Sequence, residues 1–160
     1  MSHMKYTSII LFVCCLLITS CKTKEVVSPK EFEGSQLLLT HGGGFAGTYK
    51  TYCLLENGQL FKSNKQSEAS NPVKGLDKKV TSQIFSNYEI LGLGNQKVES
   101  YGNLNYSITM INKDGEKHKL VWGADQKDTE QLKLFYKNVM NLIRLNNKDD
   151  NGKADPTAKQ

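Results

Sequence analysis

The 160-residue chain is short of several things, and each shortage excludes a class of function. Of four cysteines, Cys14, Cys15 and Cys21 fall within the first 21 residues. Cys53 stands alone in the remainder, so no intramolecular disulfide can staple the domain. Its ordinary role is a small buried apolar residue, because a catalytic thiol needs a neighbouring base. After Cys21 there is no H-x-x-x-H, C-x-x-C, G-x-S-x-G or S-x-x-K, which removes the usual metal and nucleophile frameworks. Only His41 and His118 remain there as imidazoles. His118 reads as a half-exposed strand residue, and His41 as a strand cap or a partner contact. The carboxylates Glu56, Glu89, Glu99, Asp114 and Glu116 fall mostly at turns and element ends, where solvation explains them. No stretch gathers five charges of one sign, which argues against nucleic acid as a partner. Neither a cofactor nor a metal is expected, and the chain does not read as an enzyme.

The longest apolar run is Ile9 to Ile18, ten residues, where a membrane-spanning helix needs about 20. A basic Lys5, a short apolar middle and small residues at Thr19 and Ser20 describe a secretory signal peptide over residues 1–20. Its ending, "LITSC", resembles the lipobox of bacterial lipoproteins. The resemblance implies that Cys21 carries lipid and becomes the first residue of the mature protein. Lys22 stands where inner-membrane lipoproteins carry aspartate, which implies the outer membrane of a Gram-negative cell envelope. Removing Lys5 from 21 basic residues leaves 20 against 16 acidic ones, a mature charge of +4 that suits an anionic membrane.

Residues 21–34 are polar and read as a membrane tether. Residues 146–160, with no aliphatic side chain beyond two alanines, read as a disordered tail. Between them, residues 35–145 form one domain. Gln36 to Thr40 reads as a buried strand, and Thr48 to Leu55 alternates with period two. Asn57-Gly58 in "LLENGQLF" predicts a type I′ hairpin turn. Ser63 to Gly75 reads as a polar loop. Leu76, Val80, Ile84 and Tyr88 recur every fourth position, with Phe85 widening the stripe, and predict a helix ended by Gly92 and Gly94. Leu104 to Met110 alternates, Asp114-Gly115 marks a second hairpin, and His118, Leu120 and Trp122 share a face of the next strand. Asp128 and Gln131 resemble a capping box before a helix carrying Leu132, Phe135, Val139, Leu142 and Ile143. The tyrosines and Trp122 read as ordinary strand residues, although such aromatics also recur at interfaces. The class is α+β: a mostly antiparallel sheet of about five strands with two helices packed on one face.

Gly42, Gly44 and Gly47 stand in the spacing G-x-G-x-x-G. A dinucleotide site would need a helix after the last glycine, to direct its N-terminus at the pyrophosphate. "TYKTYCLLENGQLF" alternates instead, so that reading fails. Two remain open: a structural turn with Phe45 folded back onto the core, or a surface presented to a partner. "GGFAG", between an apolar and an alternating strand, resembles the emfourin family, inhibitors of thermolysin-type zinc metallopeptidases. The order of elements from Gln36 to Ile143 is similar too. The resemblance implies that His41, Gly42, Gly43, Gly44, Phe45, Ala46 and Gly47 enter or block a protease cleft. Their backbone would make strand-like contacts and Phe45 would fill a pocket. The alternatives are a structural or assembly lipoprotein, and a small-ligand binder using space between sheet and helices.

Overall fold

The computed structural model describes residues 26–45, 47–66 and 68–148. Cys21, the signal peptide, residues 22–25, Ala46 and the tail from 149 lie outside the described residues. Six strands form one antiparallel sheet: β1 (Gln36–Gly43), β2 (Thr48–Leu55), β3 (Leu60–Ser63), β4 (Asn71–Val73), β5 (Leu104–Ile111) and β6 (Lys117–Gly123). Their spatial order is β4-β3-β2-β1-β5-β6, so β1 is central and pairs along its whole length with both β2 and β5. The extra strand, β4, lies within the expected loop. It has three residues, too few to show alternation, and Pro72 is tolerated because β4 is an edge.

Both hairpin turns differ from the type I′ geometry. That turn needs positive φ at both central residues, whereas Gly58 has φ 92° and Asn57 keeps a negative one. Asn57 turns its side chain to accept from the Gln59 amide at 2.9 Å. Leu55 and Gln59 close a three-residue loop, and Asn112 and Glu116 close an equivalent one with Gly115 at φ 82°.

Helix α1 (Lys78–Ile90) starts at Asp77, whose Oδ1 accepts from the Lys79 amide at 2.8 Å, and stops at Gly92, φ 63°. Helix α2 spans Glu130–Lys148. The expected cap at Asp128 is not formed: Asp128 has φ 64°, and Thr129 supplies the carbonyl that the Lys133 amide binds. Gln131 instead accepts from Gln96 and donates to the Leu91 carbonyl, tying the start of α2 to the end of α1. At its far end α2 runs beyond Leu145, and Asn146 donates to the carbonyls of Lys74 and Gly75.

Both helices lie on one sheet face. Ile84, Tyr88, Phe135, Tyr136, Val139 and Ile143 bury against Leu37, Leu39, Leu54, Ile108, Leu120 and Trp122. The opposite face carries a smaller cluster, Cys53, Leu55, Phe61 and Ala69, with Phe32 and Leu38 packed on it. From Val26 onward the expected tether is a strap laid on this face. The Gln36 side-chain Nε2 donates to the carbonyls of Pro29 and Phe32, and the Val27 backbone amide donates to Gln59 Oε1. The Ser35 amide donates to Glu56 Oε2 at 3.0 Å, and the Glu56 amide returns a bond to the Ser35 carbonyl.

Candidate functional site

The β1–β2 hairpin is where the predicted contact residues fall, and the fold divides them. His41, Gly42 and Gly43 belong to β1, opposite Lys50, Tyr49 and Thr48 on one side and Tyr106, Asn105 and Leu104 on the other. Their ladder is occupied on both edges, so they have no strand edge to offer a partner. Gly44, Phe45 and Gly47 form the turn itself; Ala46, between them, lies outside the described residues.

Each glycine has its own structural cause. A Cβ on Gly42 would overlap the Thr48 carbonyl oxygen, and one on Gly43 would sit 2.6 Å from the Asn103 oxygen. Gly44 and Gly47 meet nothing within 4 Å, but their φ angles of 71° and 58° are those of a left-handed turn. The Gly47 amide donates to the Gly44 carbonyl at 3.1 Å, and the Gly44 amide to Asn103 at 2.6 Å. Backbone geometry therefore accounts for the glycine count without a partner.

Phe45 is different. It does not fold back onto the core: it stands at 110% of its reference exposure on a turn pinned by those two bonds. Tyr101 and Leu104, 62% and 39% exposed, lie at the same end of the sheet. There Asn105 closes the 102–105 turn by accepting from the Gly102 amide and donating to its carbonyl. The Tyr101 hydroxyl donates to Glu99, which raises the phenol pKa. Alternation places Leu104 on β5, but its nearness to the tip is set by the β1–β5 register, which pairs it with Gly43.

Beneath the tip lies an aromatic cluster. Tyr106 stacks on Trp122 at 5.9 Å between centroids, and Tyr136 meets both edge-on at 5.4 and 5.8 Å. His41 Nδ1 shares a 2.9 Å hydrogen bond with the Tyr136 hydroxyl, so this histidine anchors the tip strand to α2 rather than capping it. Burial above all, and then the neighbouring Tyr106, push the Tyr136 phenol far above its ordinary range against a smaller lowering by Arg144, so it stays protonated. His118 is held comparably. Its Nε2 faces the Gln96 carbonyl, which only accepts, so Nε2 carries the proton and Nδ1 takes the Tyr88 hydroxyl at 2.7 Å.

Among the described residues no group of three or more His, Cys, Asp or Glu could hold a metal. None of their helices is long and apolar enough to cross a membrane. Buried side chains occupy the layer between sheet and helices. A groove of about 310 Å³ opens instead between the two helices, lined by Ile90, Leu91, Leu134 and Leu142 among others. Compared with known proteins, the chain matches no protein-family model and no curated protein.

Proposed function

We propose that this protein is a lipid-anchored member of the bacterial cell envelope, held at Cys21 and binding another protein through the tip of its β1–β2 hairpin. The observation that carries the reading is Phe45, fully exposed on a turn whose ends, Gly44 and Gly47, are tied to each other and to Asn103 by backbone hydrogen bonds. A turn tied at both ends has less freedom to lose on docking, and a projecting aromatic carries a large apolar surface into a pocket. The resemblance to emfourins supplies the target class, a thermolysin-type zinc metallopeptidase whose cleft the tip would block. Contact then comes from Phe45 and the turn, with His41 as support.

The test titrates a soluble form beginning at Lys22 against thermolysin-type proteases. Stoichiometric inhibition, weakened about 30-fold or more by Phe45→Ala as expected of a binding hot spot, supports the reading. A folded protein that inhibits none of them removes the inhibitor assignment. Unchanged affinity in Phe45→Ala removes the tip. The anchor is checked separately, since Cys21→Ser should move the protein out of the membrane fraction.

A further inference from the structure

The strap has a consequence for how the protein stands on its membrane, and it rests on the lipid anchor proposed above. Had residues 22–34 formed a free tether, fourteen steps from Cys21 to Ser35 would reach about 48 Å. The docked segment includes everything described from Val26, with the Val27 amide bound to Gln59. At most five steps then separate the lipid from the folded domain, a reach of no more than about 17 Å.

That number competes with the height of the domain. Gln59 follows the Glu56–Gly58 loop, at the end of the sheet where β1 begins and β2 finishes. The Lys113–Gly115 loop lies at the same end, because Ile111 pairs with Gln36 and with Lys117. The Gly44–Gly47 turn is at the opposite end, one eight-residue strand away, about 27 Å. A 48 Å tether would allow the domain to invert and lay its tip on the lipid. A 17 Å reach does not, since inversion would drive the tip about 10 Å into the bilayer.

We infer that the Val26–Ser35 strap orients the domain, holding the Glu56–Gly58 and Lys113–Gly115 loops against the lipid surface and directing Phe45 away from it. The partner of the first pole is the bilayer, and the partner of the tip must approach from the aqueous side. Phe32 serves the strap by packing on the cluster around Cys53, and Gln36 by binding two of its carbonyls.

The experiment uses the full lipidated protein in phosphatidylethanolamine–phosphatidylglycerol vesicles carrying an acceptor dye in the lipid. A donor is placed by maleimide on Asp114→Cys or on Phe45→Cys. Native Cys53, 1% exposed and with its thiol pKa pushed up to about 12 by burial, does not compete near pH 7. The expected result is stronger energy transfer from position 114 than from position 45. Inserting about ten Gly and Ser residues between Glu25 and Val26 restores a reach of about 50 Å and should abolish the difference. Phe32→Ala, which loosens the strap from within, should reduce it. Equal transfer from both positions in vesicle-bound protein overturns the orientation while leaving the anchor intact. Failure to bind vesicles at all overturns the anchor and, with it, this inference.

Discussion

The two faces of the sheet are buried by different means. One lies under two helices, whose backbone groups are satisfied internally, so the contact can be almost wholly apolar: Leu37, Leu39, Leu54, Ile108, Leu120 and Trp122. The other lies under irregular chain, the Val26–Ser35 strap and the segment around Lys65 and Gln66. Such chain carries carbonyls that still need donors. The sheet supplies them from side chains. Gln36 reaches Pro29 and Phe32, Thr51 reaches Lys65 and Gln66, and Thr40 reaches Gln66. Gln36, Thr40, Thr51 and Ser63, all buried, point to this face. No buried side-chain nitrogen or oxygen among the described residues is left without a partner. Gln36, Thr40 and Thr51 are thus buried polar strand residues because coil lies above them.

The comparison can be broken at four places. Trp122→Ala on the helix face empties the centre of the aromatic cluster and should cost about 3–5 kcal/mol in urea unfolding. On the strap face Thr51→Val keeps shape but removes a donor; about 1–3 kcal/mol should be lost. A cost near zero would mean that the covering segment does not depend on that bond.

The third test uses pH. Burial raises the Cys53 thiol from 9.0 to about 12. Above pH 9 the unfolded chain releases this proton while the folded protein keeps it. The stability held below pH 9 therefore falls as pH rises towards about 12, by up to about 1.4 kcal/mol per pH unit. Tyr88, raised from 10.0 to about 12 by burial, adds its own loss only above about pH 10. Cys53→Ala should therefore flatten the slope between pH 9 and 10, read by denaturant midpoints across that range. The smallest effect is expected at Phe45, which belongs to neither face. Phe45→Ala should change stability by less than about 0.5 kcal/mol, and a larger loss would show that the tip packs on the domain after all.

Much of the architecture was legible in the residues. Period-two alternation marks β2, β5 and β6, the i, i+4 spacing from Leu76 to Tyr88 marks α1, and Asn57-Gly58 and Asp114-Gly115 mark the hairpins. The misses share a cause. β4 was hidden because an edge strand containing Pro72 carries little pattern. β1 was expected to stop at Thr40 because glycines read as loop, although here Gly42 and Gly43 are strand residues selected by close backbone approach. The strap was hidden because a polar segment without period looks the same whether it hangs free or is bound by Gln36.

The candidate site divides along the same line. The sequence by itself determined the positions where the chain can turn, the faces its helices bury, and the small glycines that permit a tight tip. These depend on neighbours within a few residues. Only the tertiary structure decided that Phe45 points to solvent, that His41 is held by Tyr136, and that the strap leaves the sheet at the pole opposite the tip. Each of those depends on contacts between distant residues, 95 positions apart for His41 and Tyr136, and no local pattern encodes such a pairing.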